Sequence, residues 1–202
     1  MAFGSYKSLG EVARQFRIKV ENENFLEITP FETAQAFKDE LAFVLSNIYV
    51  RASEAAIGEF LIVPILKEIW RNYKDYLLIW SHVALVLDQE FSGYPDYLFT
   101  KRTELGMVQD KPYLMVVEAK KDDFEAGWAQ CAAALLAAQQ INQNENMVLY
   151  GIVSNGDGWQ FGKLQAKSFI RDTRTFGISD LDELFGALNF VFDKAKEQAI
   201  KF

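Results

Sequence analysis

The amino-acid sequence predicts an α/β (α+β) protein, a mixed sheet flanked by helices, on three observations. Helix-like patterns fill the chain as far as Tyr73, apolar strand-like runs separated by turn residues take over after Tyr76, and an amphipathic stretch over residues 180–201 closes it. A length of 202 residues suits one domain, with enough interior to fold without disulfides or structural metal. Within that domain the elements divide into an N-terminal helical extension (1–52), a core (53–164), and an edge strand with a closing helix (165–202).

The elements follow from local chemistry. Ser8 caps a short helix over 8–17, with Glu11 three residues on as its capping-box partner. Residues 22–30 are polar and turn-like. A longer helix is expected over 32–49, and another over 53–73 with Ser53 as N-cap and a kink or restart at Pro64. Strands are expected over 82–88 and 96–101, divided by Ser92, Gly93 and Pro95. Residues 113–120 have a nearly continuous apolar body, as a central strand covered on both faces requires. Asp123 caps a helix over 124–142, and a buried strand follows over 147–153. Asn155-Gly156 signals a hairpin into a strand over 159–164. An edge strand is expected over 168–171. The last helix presents Leu181, Leu184, Phe185, Leu188, Val191 and Phe192 to the core.

Composition removes several function classes. The single cysteine, Cys131, has no internal disulfide partner and reads as core. The single histidine, His82, leaves no Cys/His cluster for zinc, excludes most imidazole-based nucleophile systems, and reads as a strand-end surface residue. No apolar run approaches a membrane span and residues 1–10 show no secretory pattern, so a soluble, reducing, cytoplasmic setting is the expectation. A net charge of −7 opposes non-specific binding of nucleic acid by the whole surface and leaves room only for a local groove. Gly156, Gly158 and Gly162 precede strand residues and read as hairpin glycines, not a phosphate cradle. Lys101 and Arg102 are candidate phosphate contacts, diluted by Glu104.

One constellation carries chemistry. Alternation along 113–120 puts Glu118 and Lys120 on the same face, at the end of a strand otherwise apolar. Burying either charge unpaired is costly, so the two pair with each other or serve a site. A return of the chain through Gly106 brings Asp96 beside Glu118. Two carboxylates so close repel unless a cation neutralises them, and hard oxygen ligands suit Mg²⁺. An adjacent lysine can hold a water while the metal stabilises charge on a phosphoryl oxygen.

Pro95-Asp96, then Glu118-Ala119-Lys120 at the end of an apolar strand, then a helix, resembles the PD-(D/E)XK nuclease superfamily. Within it the chain is most similar to the nuclease domains of restriction enzymes, particularly the N-terminal domain of type I restriction subunits. The resemblance spans residues 53–164. It implies a restriction endonuclease-like α-β-β-β-α-β core and Mg²⁺-dependent hydrolysis of nucleic acid, most of all DNA, with Mn²⁺ as substitute. It further implies Asp96, Glu118 and the Ala119 carbonyl as metal ligands and Lys120 as the residue that positions the attacking water.

Glu59, before the apolar run Phe60-Leu61-Ile62-Val63, resembles the family's helix glutamate; it shares a helical stripe with Val63, Leu66 and Trp70 and is expected to face the core. Gln130, on the small-residue side of the helix over 124–142, matches a glutamine that orients the lysine or its water. The tyrosine four residues later in some members is Ala134 here, a departure from the exonuclease branch. The run from Ser154 to Phe161 resembles the glycine-aromatic hairpin after the fourth core strand. The competing expectation is a catalytically silent nuclease-fold module that acts with a partner protein. Either form is compatible with a homodimer or a partner subunit.

Overall fold

The computed structural model describes residues 3–29, 31–88 and 91–202; Pro30, the last residue of the expected turn region, lies outside them. A mixed sheet is built from β1 (Lys19–Asn22), β2 (Leu77–Ser81), β5 (Tyr97–Lys101), β6 (Tyr113–Ala119), β7 (Leu149–Ser154), β8 (Gly158–Gln165) and β9 (Ser168–Arg171) in the order β1-β9-β8-β7-β6-β5-β2. A short β10 (Phe176–Gly177) joins β8 off this path, and β3 (Leu85–Val86) and β4 (Ser92–Gly93) form a separate hairpin. β6–β7 and β1–β9 run parallel, and the other pairs are antiparallel.

Helices cover both faces. α5 (Phe124–Asn142), capped by the Asp123 carboxylate on the Ala126 N–H, packs Trp128, Cys131 and Leu135 onto the sheet. Gly151 on β7 lets them approach, since a Cβ there would stand 2.7 Å from the Cys131 sulfur. α1 (Leu9–Phe16), capped by Ser8 on the Glu11 N–H as expected, lies over α5. On the opposite face α6 (Leu181–Lys201) buries Leu184, Phe185, Leu188, Val191 and Phe192, the last meeting Phe99 of β5 edge-to-face at 5.0 Å. α2 (Gln35–Asn47) begins three residues later than the expected helix over 32–49 and ends two residues sooner.

Four features depart from the sequence expectation. The first core strand is Leu77–Ser81 and not 82–88. Leu77, Leu78, Ile79, Trp80 and Ser81 pair with β5, whereas the apolar alternation after His82 pairs only Leu85 and Val86 with β4. The expected helix over 53–73 is α3 (Glu54–Ile57), a π turn over Gly58–Ile62, and α4 (Val63–Trp70). Pro64 lies in the first turn of α4, where its missing N–H costs least, and the backbone stays helical through the π turn that joins the two pieces. Residues 1–52 are not purely a helical extension, because Lys19–Asn22 lies parallel to β9 at the sheet's edge, which makes the expected edge strand over 168–171 an inner one. Finally, the β10 pair at Phe176 and Gly177 carries no alternation long enough to read.

Asp172 ties the first segment to the sheet. Its buried carboxylate accepts N–H groups from Phe25 and Leu26 at 3.0 Å each and holds the Arg174 guanidinium at 2.8 Å. Arg174 in turn donates to the Leu26 carbonyl at 2.9 Å.

Candidate functional site

The site forms where β2 and β6 end and β5 begins, beside α3. The antiparallel register Tyr97↔Val117, carried back one residue, sets Asp96 opposite Glu118. Asp96 Oδ2 accepts the Ala119 N–H at 2.7 Å, locking this carboxylate across the strand pair. Glu118 is only 4% exposed and has the Asp96 carboxylate as a close neighbour. Burial, and next the Asp96 charge, pushes the Glu118 pKa well above the usual glutamate range, with Lys120 pulling the other way. Lys120 follows on the same face, as strand alternation requires. A Cβ on Gly127 of α5 would stand 2.9 Å from Lys120 Cγ, so α5 supports the lysine stem. The lysine head reaches over the strand end to Glu54, with Nζ 3.5 Å from Oε1.

The three residues of the sequence-read constellation therefore converge, and a third acid joins them. Glu54 enters on the first turn of α3, whose N-cap Ser53 accepts the Ala56 N–H at 3.1 Å. The helix is set against the β7–β8 hairpin by Gly156, where a Cβ would stand 2.7 Å from Leu61 Cδ1, and φ is +86°. A bidentate ion pair of Arg51 with Asp157, at 2.6 and 2.8 Å, fastens the chain just before α3 to the same hairpin. Within that turn the Ser154 hydroxyl accepts the Gly156 N–H and donates to the Gly158 carbonyl, both at 2.9 Å.

A cleft of about 470 Å³ opens onto this cluster, lined among others by Glu54, Glu59, His82, Asp96 and Ala119. Glu59 is exposed there and does not face the core. The π turn that carries it breaks the 3.6-residue period on which the stripe with Leu66 and Trp70 rested. Gly58, the first residue of that turn, gives room to Tyr97, whose hydroxyl would lie 2.9 Å from a Cβ. Burial, and then Asp96, pushes the Tyr97 pKa up to about 12, so Tyr97 stays a neutral phenol at the cleft wall.

Gln130 is placed elsewhere. Its amide lies against Gly4 of the N-terminal segment, where a Cβ would be 3.2 Å from Nε2. The side of α5 that carries it is covered by the first residues of the chain and not by the cleft, a tertiary contact that helix periodicity cannot report. Cys131 is fully buried against the sheet, with burial pushing its thiol pKa up, as a core residue.

Two residues at the site escaped the sequence reading. Glu54 sits five positions before the glutamate chosen by stripe arithmetic, and its signal was the N-cap beside it. His82 follows the end of β2 and faces Asp96, with Nε2 3.4 Å from Oδ1. Its signal was its place after the run Leu77-Leu78-Ile79-Trp80.

A hard divalent cation suits the donor chemistry. A buried carboxylate whose near neighbour is a second carboxylate gains from a cation, and Mg²⁺ is held by one or two carboxylates with water completing its shell. Among the described residues no group of three or more His, Cys, Asp or Glu side chains is arranged to hold a metal, so Asp96 and Glu118 are the side-chain donors on which such a site would depend. Also among the described residues, no helix is long and apolar enough to cross a membrane. Neither a protein-family model nor a curated protein matches the chain.

Proposed function

We propose that this protein is a Mg²⁺-dependent nuclease, a hydrolase of phosphodiester bonds in nucleic acid with DNA as the favoured substrate, on a restriction endonuclease-like fold. The observation that carries the reading is a 4%-exposed Glu118 carboxylate facing Asp96, with the Lys120 ammonium alongside, at the end of a central strand. The order of α3–α4, β2, β5, β6, α5 and β7 supports it, being the α-β-β-β-α-β sequence of that core, with β7 parallel to β6.

In this reading Asp96 and Glu118 bind the cation, with the Ala119 carbonyl as a third donor. Bound Mg²⁺ or Mn²⁺ supplies Lewis-acid stabilisation of charge on a phosphoryl oxygen and eases deprotonation of a water. Lys120 holds the attacking water by its N–H groups. Glu54 orients Lys120 through their ion pair, and Glu59 lies in the cleft where a water or a second cation would approach. The Gln130 amide lies against Gly4, and in this reading its part is packing there.

The direct test is nicking of supercoiled plasmid by purified protein in Mg²⁺, against Asp96→Ala and Lys120→Ala. Activity in the wild type and loss in both variants supports the reading, and equal activity in all three refutes it. One observation favours a second reading, a catalytically silent module that works with a partner chain. The cleft presents Glu54, Glu59 and Asp96 with Lys120 behind them, on a chain of net charge −7, which is a poor surface for duplex phosphates. Calorimetric titration separates the two, because a silent module binds no Mg²⁺ at millimolar concentration.

A further inference from the structure

We propose that His82 is a positioning residue for Asp96, holding that carboxylate in the orientation that receives the divalent cation; this rests on the metal-dependent reading above. β2 ends at Ser81, and His82 turns the chain with φ +52°, in the left-handed region where His, Asn and Asp are the commonest residues after glycine. The ring is 64% exposed, so burial does not hold it in place.

Polar contacts to Asp96 and its neighbours do. The His82 backbone N–H donates to the Asp96 carbonyl at 2.9 Å, fixing the turn to the first residue of the β5 approach. On the ring, Nε2 lies 3.4 Å from Asp96 Oδ1 and Nδ1 lies 2.8 Å from the Ser81 hydroxyl. The ring meets Tyr97 edge-on at 5.8 Å and 76°.

These contacts assign the proton. An ionised carboxylate oxygen can only accept, so in the neutral ring Nε2 carries the hydrogen and Nδ1 accepts from Ser81. Asp96 thereby selects the tautomer, because the Ser81 hydroxyl can either donate or accept, and His82 turns its ring N–H toward Asp96 at ion-pair distance. The other Asp96 oxygen already receives the Ala119 N–H at 2.7 Å. Asp96 thus accepts a hydrogen bond at one oxygen, from β6, and meets the His82 ring at ion-pair distance at the other, from the end of β2. A carboxylate held this way keeps its plane fixed beside Glu118, and a ligand that need not be ordered on binding holds its metal more tightly. Removal of an outer partner of a ligating carboxylate typically costs about 10–100-fold in metal affinity.

The experiment is calorimetric titration of Mn²⁺ into the full chain as wild type, His82→Ala and His82→Gln. Alanine and glutamine carry the same left-handed backbone, and glutamine alone keeps an N–H within reach of Asp96, so their difference isolates the donor. The expected result is weakening of Mn²⁺ binding by about 10–100-fold in His82→Ala, with His82→Gln restored to within about threefold of wild type. His82→Gly, which relieves the backbone, serves as the donorless variant if His82→Ala does not fold. Tight wild-type binding that His82→Ala leaves unchanged, or a His82→Gln as weak as His82→Ala, overturns the role of His82 and leaves the metal-dependent reading standing. A wild type that binds no Mn²⁺ at millimolar concentration overturns both.

Discussion

Replacing Glu118 by Gln sets stability against function at one atom pair. Without metal, wild-type Glu118 is buried against the Asp96 carboxylate, and Lys120, the nearest cation, is shared with Glu54. Burial and repulsion from Asp96 raise the Glu118 pKa, so near neutral pH the folded chain takes up a proton there, at about 1.4 kcal/mol for each unit by which a pKa is raised. Lys120 offsets part of that, leaving a cost on the order of 1–2 kcal/mol. Glu118→Gln removes the repulsion without changing the side chain's size and gives Asp96 an amide donor. In a chelating buffer the variant should therefore melt about 3–6 °C above wild type, at about 2–4 °C per kcal/mol for a chain of this length. Saturating Mg²⁺ should reverse the order of response. At tenfold over Kd it adds about 1.4 kcal/mol to wild type, some 3–5 °C, and nothing to a variant that has lost a ligand. Thermal melts by circular dichroism, with chelator and with 10 mM Mg²⁺, read both halves. A variant less stable than wild type in chelator, or one that gains as much from Mg²⁺, refutes the reasoning.

Three further outcomes follow from the packing. Gly127→Ala drives a methyl to 2.6 Å from Val153 Cγ1 and 2.9 Å from Lys120 Cγ, so it should destabilise the fold by about 1–3 kcal/mol in urea unfolding and lower plasmid nicking more than that loss explains, by displacing Lys120. Gly156→Ala combines a left-handed backbone with a clash against Leu61 and should cost about 2–4 kcal/mol, whereas Arg51→Ala, whose ion pair is half exposed, should cost under about 1 kcal/mol by the same measurement. Burial alone would raise the Asp172 pKa, but the Arg174 hydrogen bonds and the Leu26 and Arg174 backbone N–H groups outweigh it and hold it below the usual aspartate range. The stability it contributes is therefore complete above the unfolded-chain value near ~4 and drains away as pH falls through the lower folded value; Asp172→Asn should cost about 2–4 kcal/mol at pH 7 and show a flatter acid limb in unfolding curves taken from pH 6 to 2.

What was legible in the sequence was whatever a local rule governs. Ser8, Ser53 and Asp123 cap the helices they were expected to cap, because a side-chain oxygen three residues before an N–H acts without the rest of the fold. The central strand and the shared face of Glu118 and Lys120 were legible because alternation is intrinsic to an extended chain. Asp96 beside Glu118 was legible only through a guess about the return of the chain, which the β5–β6 register supports. Illegible were the features decided by distant partners. β1 exists because β9 offers an edge, and Gln130 turns to Gly4 because the N-terminal segment covers that side of α5. Periodicity along a helix says which residues share a face and nothing of what the face meets.

The misplacement of the helix acid shows how one local irregularity moves a site. Extended as unbroken α-helix, residues 53–73 put Glu59 on the inward stripe and leave Glu54 unremarked. The π turn over Gly58–Ile62 winds more residues into its turn, so residues before it rotate out of phase with those after it. Pro64 and Gly58 are the local reasons for the irregularity: Pro64 can donate no N–H, and Gly58 lets Tyr97 fill the space a side chain would take. The consequence is chemical. Glu54 comes within 3.5 Å of the Lys120 head while Glu59 is left in the cleft, so the acid that orients the lysine and the acid that faces an incoming ligand are two residues. Glu54→Gln should then disturb Lys120 more than Glu59→Gln does. The lysine head, followed by ¹⁵N relaxation of its Nζ, should become more mobile in the first variant and stay as ordered as wild type in the second, and equal changes in the two would return the orienting role to Glu59.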